Sequence, residues 1–274
     1  MDNISKTTCL IAITLFCFSC TTFKSRNTDH SEQKEKEQLR VLSYNMHYAN
    51  PPSKPGIIDL DAIAEVIKTA NPDIVALQEV DVNVKRSGNI DEVALLARKT
   101  GLKAYYFSKA IDHDGGDYGV AILSKFEILE SKTYKLPHDS ETNPEPRVMG
   151  TVRVQTENGF EFIFANTHLE VRHEVNRLMQ LKAIGEIFHE TNLPIIIAGD
   201  FNALPGSETI NYLDEIFTRT CEDCPPTIPV IEPKRAIDFI AYRSENHFKK
   251  VFHEVIDEKY ASDHLPVFAI LEIQ

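Results

Sequence analysis

The chain has no tryptophan and too few basic residues to balance its acids. Over 274 residues there are 29 Lys and Arg against 41 Asp and Glu, a formal net charge of -12. A protein that holds long nucleic acid by its backbone usually shows a basic face. Any phosphate chemistry here must therefore rest on a local site and not on a broad positive field. Long apolar runs are also missing. The stretch from Cys9 to Phe18 is too short to span a bilayer. Cysteine is scarce, and beyond residue 20 only Cys221 and Cys224 remain, spaced C-x-x-C. A zinc site would need two more ligands, and no second pair exists. A thioredoxin-type motif would need a following helix, which Pro225-Pro226 argue against. In an exported chain the pair is expected to form a local disulfide.

Lys6 followed by the short apolar run has the pattern of a signal peptide, expected over residues 1–19. Phe18-Ser19-Cys20 resembles a bacterial lipoprotein cleavage box, with Cys20 as the lipidated first residue of the mature chain; Cys17 stands where Leu is usual. A plain signal peptide cut near the same place is the alternative. Residues 20–38 are almost devoid of apolar side chains and read as a flexible tether. Some ~18 such residues would span on the order of 20–25 Å. The expected address is the periplasm or the cell envelope, with a membrane anchor at Cys20. The folded domain is expected over 39–274.

That domain is organised around Leu193-Pro194-Ile195-Ile196-Ile197-Ala198-Gly199-Asp200-Phe201-Asn202. It reads as a strand buried on both faces that stops at polar groups. In extended backbone Asp200 and Asn202 would point to one side and gather a water, a metal or a phosphate oxygen. A turn closing the strand is the competing reading. Other strands end the same way: Arg40–His47 at Asn45 and His47, Asp73–Val80 at Glu79, and Phe160–His168 at His168. Further strands are expected at 105–107, 118–123, 149–154, 236–241, 251–255 and 267–273. Helices are expected after Asp59 or Asp61, from Asp91 to Gly101, and from Glu174 to His189. Asp112 to Asp117 reads as a glycine-rich acidic loop.

The chain repeats itself. A strand ending in Asn45 or His168 is followed by a loop, a helix, Asn-Pro or Asn-x-Pro, and a core strand ending in Glu79 or Asp200. Two similar β-α-β units would bring four polar strand ends to one rim and fit a two-sheet sandwich. Asp238 lies among apolar residues, which is costly without a partner. A histidine is the expected one, because a carboxylate on one ring nitrogen fixes the tautomer and raises the basicity of the other.

Tyr44-Asn45, Leu77-Gln78-Glu79-Val80, Tyr118-Gly119-Val120-Ala121-Ile122-Leu123-Ser124, Asn166-Thr167-His168-Leu169, Gly199-Asp200-Phe201-Asn202, Ile237-Asp238-Phe239-Ile240 and Ser262-Asp263-His264-Leu265-Pro266-Val267 follow one another in the chain. Together they resemble the ordered motifs of the endonuclease/exonuclease/phosphatase superfamily, the fold of DNase I, abasic-site endonucleases, neutral sphingomyelinases and inositol polyphosphate 5-phosphatases. The nearest likeness is to its small bacterial metal-dependent hydrolases. The resemblance implies an α/β fold, a four-layer α/β/β/α sandwich of two packed mixed sheets.

It also implies roles. Glu79 would be the main ligand of a divalent metal, Mg2+ or alternatively Mn2+, with Asn45 and Asp263 close by. Asp238 would orient His264, and His264 would act as general base or bind a phosphate oxygen. Asp200 and Asn202 would position the attacking water, with Asp200 the base in parts of the family. His168 would stabilise charge on the scissile phosphate, paired in some members with an acid for which Asp117 is the candidate. Arg86 and Arg147 would hold phosphate, and Tyr118 would be a substrate contact or a packing residue. The reaction implied is hydrolysis of a phosphodiester or phosphomonoester. A lipid head group or small molecule is favoured over nucleic acid, given the acidic balance and the missing tryptophan. A nuclease acting on DNA or RNA, and a non-catalytic binding lipoprotein on the same fold, are the alternatives. The chain is expected to be monomeric.

Overall fold

The computed structural model describes residues 36–243 and 246–274; the expected signal peptide, and the tether up to residue 35, lie outside the described residues. Side-chain alternation along the central strands sets the architecture. In β1 (Gln38–Asn45), Leu39 and Val41 face one way and Leu42 and Tyr44 the other. In β2 (Ile74–Val82), Ile74 and Ala76 oppose Val75 and Leu77. In β8 (Ile195–Asp200), Ile196 and Ala198 oppose Ile195 and Ile197. The first pair of each strand packs into a middle core and the second into an outer core. Strands with two buried faces show up as unbroken apolar runs, so the central strands were legible and their polar ends stood out.

The remaining strands are β3 (Ala104–His113), β4 (Gly116–Ser124), β5 (Ile128–Lys135), β6 (Val148–Gln155), β7 (Glu161–His168), β9 (Thr218–Arg219), β10 (Asp238–Arg243), β11 (Phe248–Val255) and β12 (Val267–Ile273). They form two six-stranded sheets, ordered β11-β12-β1-β2-β4-β3 and β5-β6-β7-β8-β10-β9. Each is mixed. β1 runs parallel to β2 and β7 parallel to β8, and the other pairings are antiparallel. Helices α1 (Leu60–Ala70) and α2 (Glu92–Thr100) pack against the first sheet. Helices α3 (Glu174–His189) and α4 (Glu208–Ile216) pack against the second. The result is the expected four-layer α/β/β/α sandwich.

The helix ends follow local chemistry. Asp59 and Asp91 accept hydrogen bonds from the backbone N–H groups of Ala62 and Ala94, capping α1 and α2. Asn71 and Gly101 close them in left-handed backbone. One local expectation changes, and two elements were not expected. The acidic loop at 112–117 is a tight turn, since β3 runs to His113 and β4 starts at Gly116. β5 and α4 carry no clear sequence signal. β5 is a largely exposed edge strand with few apolar residues, and α4 is short, with Thr209, Ile210 and Leu213 buried.

One buried acid in α2 ties the fold to pH. Glu92 has no exposed surface, its Oε2 accepts the Asp81 backbone N–H at 2.8 Å, and its Oε1 has no partner. Burial pushes its pKa up to about 8, against the pull of that N–H and with help from the Asp81 charge. Between the ordinary carboxylate value and about 8, the folded chain binds a proton that the unfolded chain has lost. Stability therefore falls as pH rises through that window and levels off above it. Glu92→Gln should raise the melting temperature more at about pH 8.5 than at about pH 5. Thermal denaturation at the two values checks this, and an equal shift at both would contradict it.

Candidate active site

The polar strand ends meet at one rim because each parallel pair presents its carboxyl-terminal ends there. Asn45 sits opposite Gln78, and His168 opposite Asp200. β10 runs antiparallel to β8, so its first residue, Asp238, pairs with Asp200. Two local devices aim the side chains. A bulge in β2 puts Gln78 and Glu79 where β4 has one residue, and Glu79 adopts φ 55°, which turns its carboxylate to the rim. Gly199 allows β7 and β8 to close next to Asp200, since a Cβ there would lie 2.0 Å from the Thr167 carbonyl oxygen.

The hub is Asp200 Oδ2. Asn45 Nδ2 donates to it at 3.1 Å and to Glu79 Oε1 at 3.1 Å, while Asn45 Oδ1 accepts the His47 N–H at 3.1 Å. The imidazole Nε2 atoms of His168 and His264 lie 3.5 and 3.8 Å from the same Asp200 oxygen. Asp200 Oδ1 accepts the Asn202 N–H at 2.9 Å, and Asn202 Nδ2 donates to the Leu169 carbonyl. Asn202 has φ 49°, so the pair does not continue as extended strand; it closes a turn that still keeps the amide beside the carboxylate. Asp238 Oδ2 lies 2.9 Å from His264 Nδ1 and accepts the Thr227 hydroxyl, supplying the partner that the sequence demanded. Asp238 heads β10 and does not lie inside it.

Charge states follow from burial and neighbours. Asp200 is 1% exposed, and burial together with the Asp238 charge pushes its pKa up to about 7, although His264 and the Asn202 and Asn45 donors oppose the shift. Burial works against a charged His264, but the charge and hydrogen bond of Asp238, with Asp200 and Asp263, outweigh it and lift its pKa to about 10. His168 goes the other way. Burial, Arg147 and His264 all hold it well below the ordinary imidazole value. Ligand atoms of Asp200, Asp238 and His264 lie within 4.8 Å of one another. Asp238 Oδ2 is engaged by His264 and Thr227, while its Oδ1 is buried without a hydrogen-bond partner.

Glu79 and Asp263 are further carboxylates that could hold a hard cation. Both are part-exposed. Among the described residues Glu79 has no basic partner, and Asp263 has only His47, at 3.9 Å. Two all-oxygen donors facing solvent suit an ion that keeps several waters. The Asn45 amide oxygen is engaged by His47, so Asn45 holds the Glu79 carboxylate through its N–H group.

Arg86 is fixed by a bidentate pair with buried Asp81 at 2.8 and 2.9 Å, and its guanidinium lies 3.8 Å from the Tyr48 ring centre and 5.4 Å from that of Tyr118. Tyr118 is 8% exposed and packs beside this group. Arg147 is not a surface loop residue. It is 7% exposed, with Nη1 3.2 Å from His168 Nδ1 and 3.1 Å from Glu145 Oε1. Asp117 does not pair with His168; it meets Lys109 at 2.7 Å, and Arg147 occupies the face of the imidazole where an acid was expected. Thr227 and Tyr48 were missed. Thr227 lies in a proline-rich segment with no periodicity, and Tyr48 in a loop, so neither carried a signal.

The model of the Endonuclease/Exonuclease/phosphatase family matches residues 42–264, and the chain belongs to that family of hydrolases. Nocturnin of Rattus norvegicus is 27% identical over 165 residues, covering 55% of this chain and 37% of Nocturnin, so the chain spans well under half of that relative's length. Among solved structures, an endonuclease/exonuclease/phosphatase from Beutenbergia cavernae shares the fold at a TM-score of 0.74 and 23% identity, over 87% of this chain and 72% of that one. The mannosyl-6-phosphatase of Bacteroides thetaiotaomicron does so at 0.68 and 20%, over 86% and 99%.

Thr227 bridges Asp238 to the loop after His264, because its carbonyl also accepts the Leu265 N–H at 2.8 Å. Thr227→Val should leave the fold intact and cost about 1–2 kcal/mol, since it leaves a buried carboxylate oxygen short of a donor. Chemical denaturation checks this, and a stability equal to wild type would refute the bridge.

Proposed function

We propose that the protein is a divalent-metal-dependent phosphoesterase, hydrolysing a phosphodiester or phosphomonoester by in-line attack of an activated water. The observation that carries this reading is the convergence of Asn45, His168 and His264 on the Asp200 carboxylate, with Glu79 held beside it by the same Asn45 amide. A phosphoester is anionic and repels its nucleophile, so a catalyst must neutralise charge at the oxygens and supply a base behind them. Glu79 and Asp263, with Asn45 supporting them, would hold Mg2+, or Mn2+ in its place. When bound, such an ion neutralises phosphate oxygens and makes water more acidic.

The protein's own groups do the rest. His264 keeps its proton between Asp238 and the substrate, because its pKa is lifted to about 10, and donates to a phosphate oxygen from Nε2. Asp200, with a pKa near neutrality, accepts the proton of the attacking water. Asn202, its amide nitrogen tied to Leu169, offers its oxygen to that water. His168 donates to the oxygen on which charge grows. Arg86 adds a guanidinium held rigid by Asp81 and Tyr48. A lipid head group or a small phosphoester is the favoured substrate, in keeping with the net charge of -12 and with an enzyme anchored at an envelope membrane through Cys20. Turnover of a sugar phosphate, which the Bacteroides relative's name describes for that protein, falls inside this class.

The test is hydrolysis of bis(p-nitrophenyl) phosphate and p-nitrophenyl phosphate with added Mg2+, followed by a panel of phospholipids, inositol phosphates, sugar phosphates, RNA and plasmid DNA. Glu79→Gln and His264→Ala should each lower kcat by on the order of 1,000-fold, and EDTA should abolish turnover reversibly. Turnover that survives EDTA or either substitution would remove the reading.

A further inference from the structure

We infer that Arg147 is a positioning residue that locks His168 as a neutral imidazole with its proton on Nε2, a hydrogen-bond donor that neither accepts nor releases a proton during turnover. Arg147 Nη1 lies 3.2 Å from His168 Nδ1. A guanidinium has only donors and does not lose its proton in proteins. The atom facing it must therefore be an acceptor, so Nδ1 is bare and the single ring proton sits on Nε2. Nε2 points to Asp200 Oδ2 at 3.5 Å, where an acceptor waits and where a substrate oxygen would come.

A second proton would have to enter at Nδ1, against the guanidinium, inside a site where His168 is 4% exposed. The surroundings set the same state. Arg147 and His264 add positive charge, and burial penalises a cation. Asp200 faces the ring on the Nε2 side, while Glu145 Oε1 meets the same Arg147 Nη1 that faces Nδ1, at 3.1 Å, and holds the guanidinium in place. Tyr118, also buried, lines the same small space beside Arg147 and His168. An acid at Nδ1 would have made the ring a cation able to deliver a proton; with an arginine there, the leaving oxygen must take its proton from another source. This deepens the phosphoesterase reading, but its first test does not depend on it.

The measurement is the imidazole nitrogen spectrum of the full chain without added metal, with the His168 signals assigned by their loss in His168→Gln. Nδ1 should appear unprotonated and Nε2 protonated, unchanged from about pH 5 to about pH 9. A ring that titrates in that window, or a protonated Nδ1, overturns the inference. Arg147→Met should release the ring into mixed tautomers with a resolved titration and lower kcat about 10- to 100-fold with little change in KM. An unchanged ring spectrum in that variant also overturns it. Because the spectra need no turnover, a protein inactive on every phosphoester would sink the functional reading and leave this one standing.

Discussion

The site depends on one amide that fastens the two sheets together at their polar end. Asn45 comes from β1 of the first sheet, and its Nδ2 reaches both Glu79 of that sheet and Asp200 of the other. The two carboxylates would repel each other if nothing stood between them, and a neutral donor is the group that can hold both without adding charge. Deeper in the middle core a second link repeats the device. Gln78 Nε2 donates to Asn166 Oδ1 at 2.7 Å, and Asn166 Nδ2 donates to the carbonyls of Leu77 and Ala121. Most of the inter-sheet layer is apolar, and apolar packing alone tolerates sliding. Buried amides bonded across the layer do not, because any slip leaves them without those bonds. The sheets are thus registered against each other where the functional groups need it.

Backbone strain recurs at the same rim. His47, Tyr48 and Ala49 all have positive φ, as do Glu79 and Asn202. Such conformations cost of order 1–3 kcal/mol each in non-glycine residues and persist only where the surroundings impose them. Here they do three jobs. The 47–49 turn brings Tyr48 under Arg86, the Glu79 bulge swings a carboxylate out of the sheet, and the Asn202 turn holds an amide beside Asp200. The Asp81–Arg86 pair and the Asn45 contacts supply the opposing stabilisation.

Much of this was legible in the sequence, for a physical reason. Strands buried on both faces leave a continuous apolar signature, and polar groups interrupting it at Asn45, Glu79, His168 and Asp200 are conspicuous. The cost of an unpartnered buried acid pointed to a histidine beside Asp238, and the family resemblance singled out His264. What stayed hidden depends on tertiary placement. Arg147 looks like any loop arginine until β6 and β7 pair and bring it to the His168 ring, and Asp117 looked like a partner until Lys109 took it. Thr227 follows a C-x-x-C disulfide loop whose purpose the sequence leaves blank. β5 sits at a sheet edge with little to bury, so no periodicity marks it.

The two β-α-β units divide the labour between them. The first, ending at Asn45 and Glu79, contributes an amide and a part-exposed carboxylate; the second, ending at His168 and Asp200, contributes a buried imidazole and a buried carboxylate, while Asp238, Asp263 and His264 come from the later part of the chain. Their seam is where the polar ends touch, so neither half holds a complete set. The Asn45 amide is the joint between them, so a change in either carboxylate is felt by the other through one side chain.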